Sequence, residues 1–488
     1  MRHAIMIMAH KDAAFVTKIT SYFSDTCDVF VHFDTKSHLV NEEVNQLKNL
    51  PQVKAVLQRY DVNWGGTSVL ECELWLLQYA IEHSEAEYFH LISGQDYPIR
   101  PLDDFLKYFE ERCGQNFIQY THLPNRRWES NTFSRLQYYY PYDWATGHDN
   151  PRRWVREQVR LQKERGLKRE LPMEFDHFYG GSQWFSITRE AADALLRYTR
   201  EQSSLFRRMW MTFAPEEFYV ATVLVNLLSE DSIIQGNLRY IRWKNENGNR
   251  PANLGREHFK YLCQNDCFFA RKFERSISED LLHNIDKYLL QDNKVSQSPS
   301  GGWIYDGVLQ YGYDYSFSNF IIQFCQELGI VSAVDAGCGD GLYVALWREL
   351  NLPFTGFDSN PYTGSLTDLM LERGSQICNV KDITGDNING SYELVVCKDM
   401  LPFIPRGLIN NAVRNLCAMS SHFIILSWNV QENFSKMRHN EFSIEDIARL
   451  FAPSFIVENY MTAKLRALLI RKDCCVLIKK GTQILECL

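Results

Sequence analysis

The order of apolar and helical segments constrains the fold of this chain more than any other feature. From Met1, short apolar runs alternate with helix-like stretches: "AIMIMAH", "AAFVTKITSYF", "DVFVHFD", a polar helix, and "VKAVLQRY". This alternation is typical of a mostly parallel sheet with helices on its faces. We therefore predict an α/β fold, continued by a long helix at "SVLECELWLLQYAIEHS" and a further strand at "YFHLISGQDYPI".

A second series of the same kind begins after a polar, Ser- and Gly-rich segment, "QDNKVSQSPSGG". Beyond it, "FSNFIIQFCQELG", "SAVDAGCGDG", "LYVALWRELN" and "FTGFDSN" again alternate helix and strand. A chain of 488 residues is also too long for one hydrophobic core. We predict a first domain over residues 1–292, a linker over 293–302 and a second domain over 303–488.

Charge and cysteine content narrow the class of protein. The net charge of −8 gives no broad basic field, so nucleic acid is not an expected partner. Thirteen scattered cysteines without a C-x-x-C pair predict neither a disulfide framework nor a zinc site. The apolar start "MRHAIMIMAH" is too short for a signal peptide, and no later segment approaches ~18 uncharged apolar residues. We expect a cytoplasmic protein without a transmembrane segment, peripheral at most to the inner face of a membrane, and predict no oligomeric state.

The second domain opens with a glycine-rich turn. In "AVDAGCGDG" the strand runs into Asp335, and three glycines follow it: Gly337, Gly339 and Gly341. Glycines let the backbone turn tightly and approach a ligand closely. The next strand ends in Asp358, which suits the hydroxyls of a ribose, and "CNVKDI" places Asp382 at another strand end, where it can accept from an adenine amino group.

These residues, with "YELVVCKDMLPFIP" as the fourth strand, resemble the class I S-adenosylmethionine (SAM)-dependent methyltransferases from about residue 301 to 481. The resemblance implies a Rossmann-like fold and SAM as cofactor. The G-x-G-x-G spacing disfavours a reductase, which would use G-x-G-x-x-G. No clear general base stands out beyond Asp399 and the "SWN" at 427–429, so transfer to oxygen, transfer to nitrogen and a degenerate SAM- or partner-binding scaffold all stay open.

The first domain carries acidic strand ends and a late pair of cations. Asp34 ends "VFVHFD" and Asp96 lies in "FHLISGQDYPIR", and carboxyl ends of parallel strands face the ligand crevice. No D-x-D precedes residue 290, so no metal site is predicted, and side-chain cations must hold any diphosphate. Arg271 and Lys272 in "FFARKFE" can do so, although the pair alone also suits an ordinary solvated surface. Glu217 in "PEEFYVATV" alone also suits helix-dipole stabilisation.

Several strings of this domain resemble one glycosyltransferase family. They are "NWGGTSVL", "FHLISGQDYPIR", "GGSQWFSITREA", "PEEFYVATV" and "FFARKFE". Together they resemble the peptide O-xylosyltransferases and the core-2 branching β-1,6-N-acetylglucosaminyltransferases (glycosyltransferase family 14), from about Met1 to Leu290. The resemblance implies a GT-A-type fold, a UDP-sugar donor with GlcNAc or xylose, inversion at the anomeric carbon, and no metal.

The resemblance also assigns roles to residues. It makes Glu217 the catalytic base and Arg271 with Lys272 the diphosphate clamp. The donor-binding residues that it implies are Asp34, Trp64, Gly65 and Asp96. The chain departs from the animal enzymes, because it shows neither their amino-terminal membrane anchor nor their rich disulfide set.

The Arg-, Trp- and Tyr-rich middle, "NRRWESNTFSRLQYYYPYDW", is a candidate acceptor surface, with Glu129 and Arg135 as candidate contacts. A tyrosine-rich loop packed on the sheet explains it equally well. Taken together, the sequence predicts a bifunctional enzyme of a bacterial polysaccharide pathway. It would transfer a sugar to a glycan or lipid-linked oligosaccharide and methylate the same glycan, and the fusion would keep the intermediate near both sites.

Overall fold

The computed structural model describes residues 1–125, 133–170, 175–201, 203–246, 248–291, 294–309, 313–371, 376–385, 388 and 390–482. The chain forms two compact units. The first comprises Met1–Asn253 and Cys267–Ser276, and the second comprises Leu254–Asp266 and Ile277–Leu488. The domain boundaries at residues 292 and 303 stay a prediction.

The first unit contains a seven-stranded sheet of order β3-β2-β1-β4-β7-β6-β8 and a three-stranded sheet of order β5-β10-β9. Its strands are β1 (His3–Ala9), β2 (Cys27–Phe33), β3 (Val53–Leu57), β4 (Tyr88–Ser93), β5 (Asp96–Pro98), β6 (Asn116–His122), β7 (Tyr179–Thr188), β8 (Ile233–Gln235), β9 (Arg239–Ile241) and β10 (Phe269–Arg271). Strands β1 to β4 pair in parallel, while β7 runs antiparallel to both β4 and β6. The predicted α/β alternation is therefore confirmed.

Helices cover this sheet and bury its apolar strands. They are α1 (Ala13–Thr20), α2 (Asn41–Lys48), α3 (Thr67–Glu82), α4 (Leu102–Glu111), α5 (Ser134–Gln137), α6 (Pro151–Glu164), α7 (Arg189–Glu201), α8 (Ser203–Met209) and α9 (Glu216–Leu227). A large core joins α3, α7 and α9 to the sheet. Helix α9 is buried along most of its length, as its nearly continuous apolar sequence predicts.

The stretch "YFHLISGQDYPI" forms two strands where the sequence predicts one. The chain leaves the main sheet after Ser93, because the carboxylate of Asp96 accepts hydrogen bonds from both the backbone N and the Oγ of Ser93. Gly94 makes the turn possible, since a Cβ there would meet the Cβ of Ala9 at 2.7 Å. Asp96 consequently starts β5, in the three-stranded sheet.

The second unit is built on a seven-stranded sheet of order β15-β14-β13-β16-β17-β19-β18, beside a small hairpin, β11 with β12. Its strands are β11 (Ser296–Gln297), β12 (Trp303–Ile304), β13 (Ala333–Ala336), β14 (Phe354–Asp358), β15 (Cys378–Val380), β16 (Tyr392–Lys398), β17 (Ser420–Ser427), β18 (Phe455–Val457) and β19 (Cys474–Lys479). The pairs from β15 through β14, β13 and β16 to β17 are parallel. Strand β19 runs antiparallel to both β17 and β18.

Two apolar cores cover the two faces of that sheet. The helices of the second unit are α10 (Phe259–Cys263), α11 (Arg275–Tyr288), α12 (Tyr315–Leu328), α13 (Leu342–Glu349), α14 (Thr363–Met370), α15 (Ile409–Met419), α16 (Ile444–Phe451) and α17 (Asn459–Leu469). The first two residues of α11 belong to the first unit. Helices α12, α13 and α17 contribute to one core, and α15 and α16 to the other. A doubly covered, mostly parallel sheet is the Rossmann-like arrangement that the sequence predicts.

Two chemical features of the described residues complete the fold. The described cysteines carry free thiols. No helix in the described ranges has the length and apolar character needed to cross a membrane.

Candidate functional site

Glu217 lies in the first turn of α9, at the edge of the first unit's core. Its Oε2 accepts a hydrogen bond of 2.8 Å from Nη2 of Arg135. The buried guanidinium of Arg135 also donates to the carbonyls of Phe213 and Ala214 and lies 4.6 Å from the rings of Phe213 and Phe218. Arg135 therefore fixes the orientation of a partly exposed carboxylate.

The two acceptor candidates of the sequence have different outcomes. Arg135 is buried, and its guanidinium orients the carboxylate of Glu217. A contact between Arg135 and the acceptor stays a prediction. Glu129 lies outside the described residues.

Two further carboxyl groups that were not predicted from the sequence lie inside the protein: Glu216, which precedes Glu217, and Glu73, which lies near Glu216. Glu216 is 8% exposed, and Glu73 on α3 is 0% exposed. Burial, followed by the charge of Glu217, raises the pKa of Glu216 to about 8. Burial, followed by the charge of Glu216, raises the pKa of Glu73 well above its usual value. One feature of the sequence could have indicated the buried acid: Glu73 is the single charged residue in the otherwise apolar "CELWLL".

These buried acids predict a pH-dependent stability. The unfolded chain releases their protons near the ordinary glutamate pKa, whereas the folded chain keeps the proton of Glu216 until about pH 8. The unfolded state then binds fewer protons, so the free energy of unfolding falls as pH rises from 5 to 8. We expect Glu73→Gln, a neutral isostere, to raise the unfolding midpoint relative to wild type more at pH 8 than at pH 5. Thermal denaturation at both values measures this.

Glu82→Gln is the matched control, because Glu82 is exposed on the same helix. Its effect should be small and equal at the two pH values. A Glu73→Gln effect that does not change with pH would show that Glu73 is ionised in the folded protein.

Of the two predicted donor-binding carboxylates, Asp34 follows β2 and Asp96 begins β5. Asp34 is buried after β2, and its Oδ1 accepts from the backbone N of Lys36 at 2.8 Å. Asp96 is fully buried, and its Oδ1 lies 3.4 Å from Nη1 of Arg271. Asp96 therefore contacts the predicted clamp residue directly.

Arg271 ends β10, and its guanidinium lies 4.3 Å from the centre of the Trp184 ring. Burial lowers its pKa, an effect that Asp96 opposes. Its Nη1 is buried and has no hydrogen-bond partner in the described part of the chain. A buried guanidinium nitrogen that is ion-paired with Asp96 but lacks a hydrogen-bond partner there can still donate to a bound anion.

Lys272 extends this positive cluster, and His10 lies near it with its neutral form favoured. Burial, then the charges of Arg271 and Lys11, lower the pKa of Lys272. Burial, then Lys11 and Lys272, lower the pKa of His10 at the end of β1. His10 could not be predicted as part of the site, since no motif marks it and it lies more than 250 positions from Lys272 in the chain.

The "WGG" turn starts α3. Gly65 has φ +77°, and a Cβ there would meet the Phe213 ring at 2.7 Å. The carboxylate of Asp143 accepts from the backbone N of Thr67 at 2.7 Å, close against Gly66. The indole of Trp64 stays exposed and lies edge-on to Phe213, at 5.4 Å between ring centres. The turn thus brings Trp64 next to the ring on which Arg135 stacks.

The second unit encloses a cavity of about 220 Å³ at the carboxyl ends of β13, β14 and β16. The predicted residues that line it are Asp335, Gly337, Gly339, Asp358 and Asp382. Gly341 instead occupies the amino-terminal cap of α13, with φ +82°. Asp358 accepts from the backbone N of Gly339 at 3.0 Å and of Asn360 at 2.8 Å.

Acidic groups dominate the chemistry of this cavity. Burial, then the charge of Asp358, raises the pKa of Asp335 to about 7, and Oδ1 of Asp335 has no hydrogen-bond partner among the described atoms. Asp399 has a left-handed backbone, with φ 55°. Burial opposes its ionisation, but Lys398 at 2.6 Å lowers the pKa of Asp399 below its ordinary value. Ser427 Oγ and the backbone N of Asn429 donate to the same carboxylate. Of the two base candidates named from the sequence, Asp399 is therefore an ion-paired acceptor, and the "SWN" at 427–429 helps to hold it.

Comparison with known proteins assigns the first of these sites to a family. The sequence model described as Core-2/I-Branching enzyme matches residues 4–263. The chain belongs to the Core-2/I-branching enzyme family. Among its relatives are Xylosyltransferase sqv-6 of Caenorhabditis briggsae, 22% identical over 58% of this chain and 36% of that protein, and human Xylosyltransferase 2, 24% identical over 59% and 34%. The chain thus spans about a third of the length of these relatives.

Several solved structures to which the chain is similar are methyltransferases. They include magnesium protoporphyrin IX methyltransferase (ChlM) from Synechocystis PCC 6803 with bound SAM, with a TM-score of 0.25 and 14% identity over 33% of this chain and 76% of that one. CalS10, an amino pentose methyltransferase from Micromonospora echinaspora, has a TM-score of 0.26 and 12% identity over 33% and 90%. The branching-enzyme family predicted from the sequence is confirmed. The predicted Rossmann-like sheet is seen in the second unit's own strand order, and its assignment to the methyltransferases stays a prediction. The bacterial, cytoplasmic setting stays a prediction, because the named family relatives come from animals.

Proposed function

We propose that the first unit transfers a sugar, GlcNAc or xylose, from a UDP-sugar to a hydroxyl of a glycan or lipid-linked oligosaccharide, with inversion and without a metal ion. The observation that carries this proposal is the carboxylate of Glu217, held by Arg135 at the start of α9. Membership of the branching-enzyme family supports it. We keep the cytoplasmic side of a membrane as the proposed setting.

In this proposal Glu217 takes the proton of the acceptor hydroxyl. The acceptor oxygen forms the new bond to the anomeric carbon while the bond from that carbon to the UDP oxygen breaks. Arg271 and Lys272 offset the negative charge that develops on the departing diphosphate. Glu216 is unsuited to the first role, because it is buried and keeps its proton near neutral pH.

UDP binding is expected to survive removal of divalent metal ions, because side-chain cations carry the charge. Calorimetric titration of UDP with and without chelator measures this. Lys272→Ala should weaken UDP binding about 10- to 100-fold, which corresponds to the loss of one or more charge-assisted hydrogen bonds.

Arg275→Ala is the control for that variant, because Arg275 is a nearby cation already paired with Asp12. It should bind UDP like wild type. Loss of UDP binding on chelation would reject the metal-free proposal, and equal losses in both variants would reject Lys272 as a specific clamp.

For the second unit we propose SAM-dependent methyl transfer to the same glycan. SAM, when bound, supplies an activated methyl group. The residues present suit it: Asp358 and Asp382 line the cavity for the ribose and the adenine amino group, and the unpartnered Oδ1 of Asp335 suits a positively charged group. Labelled methyl transfer from SAM to the product of the first reaction tests this. SAM binding without any transfer would favour the alternative, a cofactor-binding scaffold.

A further inference from the structure

Four exposed aromatic side chains form a surface beside Glu217. We call them the aromatic platform: Trp64, Tyr139, Trp144 and Trp210, which are 59%, 42%, 63% and 48% exposed. Trp210 lies 5.8 Å from Trp144 and 6.3 Å from Tyr139 between ring centres. Large exposed aromatic groups that cluster in this way mark a binding surface.

The platform is continuous with the proposed catalytic residue. Trp64 lies against Phe213, and the guanidinium of Arg135, which holds Glu217, stacks on that same Phe213 ring. On its other side Trp64 lies 5.6 Å from Tyr142, which shares a short helical turn with Trp144. Two side chains, those of Phe213 and Arg135, therefore link Trp64 to Glu217.

Hydrogen bonds hold the platform in place. Gln162 on α6 both accepts from the backbone N of Tyr139 and donates to its carbonyl, each at 2.8 Å. The backbone N of Tyr140 donates to the carbonyl of Met211, next to Trp210, at 2.7 Å. These bonds hold the backbone at Tyr139 and beside Trp210, so this part of the backbone loses little further conformational entropy when a ligand binds.

The surroundings of the platform are basic, although the whole chain has a net charge of −8. Residues 149–170 contain eight basic and four acidic side chains. Arg152 lies 4.2 Å over the ring of Trp64 and Arg169 lies 4.3 Å over that of Tyr139. Arg153 and Arg156 are exposed on α6, whereas Arg160 is paired with glutamates of its own helix. The positive field therefore favours an anionic ligand.

We propose that the aromatic platform and the basic surface of α6 bind an anionic glycan chain, which is the acceptor of the sugar transfer. This inference rests on the proposed function. Aromatic faces pack on sugar rings, and the arginines pair with carboxylate, sulfate or phosphate groups along the chain. An anionic membrane is the competing ligand. The exposed side chains favour the glycan, since Leu167 is the only exposed large aliphatic side chain among described residues 133–170.

Calorimetry on the full chain tests the inference with defined probes. Hexamers of galacturonate and of hyaluronan are compared with methyl-esterified galacturonate hexamer, a neutral form of the first. At least one acidic hexamer should bind about 3- to 10-fold more tightly than the esterified one, with an affinity that falls as salt rises. Trp144→Ala and Trp210→Ala should each weaken that binding about 3- to 10-fold. Trp243→Ala, which removes an exposed tryptophan from another loop, should not.

The outcomes separate this inference from the proposed function. No binding of either acidic hexamer, equal affinity for the esterified one, or unchanged affinity in both platform variants overturns the inference. The inference is also overturned if no hexamer binds and the protein instead binds anionic lipid vesicles, with that binding lost in Trp144→Ala. This result would identify a membrane-binding surface. The titrations need no UDP-sugar. A protein that binds the acidic hexamers but turns over no UDP-sugar would therefore reject sugar transfer, and with it the role of the glycan as acceptor, and would leave the glycan-binding surface standing.

Discussion

Glu217→Gln is expected to lower sugar transfer about 10²- to 10⁴-fold, the usual contribution of a general base. UDP affinity should stay nearly unchanged, because the carboxylate acts on the acceptor proton and not on the donor. The amide can still accept the hydrogen bond from Arg135, so the local structure is retained. Steady-state turnover with UDP-GlcNAc and UDP-xylose, beside calorimetric titration of UDP, gives both quantities.

Glu216→Gln is the sharpest control that the chain offers. Glu216 is adjacent in sequence, but burial keeps it protonated near pH 7, so a neutral amide imitates its normal state. This variant should retain near-normal turnover at pH 7. If Glu216→Gln loses activity while Glu217→Gln keeps it, the base has been assigned to the wrong member of the pair. Loss of UDP binding in Glu217→Gln would mean that Glu217 serves the donor site.

Gly339→Val is expected to abolish SAM binding. Gly339 has φ +58°, and a Cβ there would already meet the Tyr305 hydroxyl at 2.7 Å, so a branched side chain must enter the cavity or displace the turn. Asp358→Ala should weaken SAM by about 1.5–3 kcal/mol for each charged hydrogen bond lost. It also removes the acceptor that holds the backbone N of Gly339. Calorimetric titration of SAM measures both changes.

Gly364→Ala is the matched control, because a Cβ at this glycine of α14 meets nothing within 4 Å. It should bind SAM like wild type. None of the three variants should change sugar transfer if the two units act independently. Joint loss of both activities would show that they do not. A wild-type protein that binds NAD and not SAM would overturn the methyltransferase proposal.

The sequence by itself determined the order of the elements and the two kinds of domain. Apolar periodicity is a local property, so β1, α1 and β2 could be predicted from their own residues. The glycine turn after β13 could be predicted for the same reason, because three closely spaced glycines disfavour a continued strand or helix and allow the positive φ angles that the turn adopts. Long motif strings such as "PEEFYVATV" indicated the family, which is confirmed, and made Glu217 the predicted base.

Tertiary structure alone decided how the side chains around Glu217 are arranged. Arg135 reaches Glu217 across 82 positions, and Glu73 lies near Glu216 across more than 140, so no local pattern marks either pair. The same holds for Arg271 beside Asp96, which requires the chain to leave the main sheet after Ser93. The physical reason is that burial and charge pairing depend on which distant segments pack together. Because of that packing, Glu217 is a partly exposed carboxylate held by Arg135, whereas the adjacent Glu216 is a buried acid.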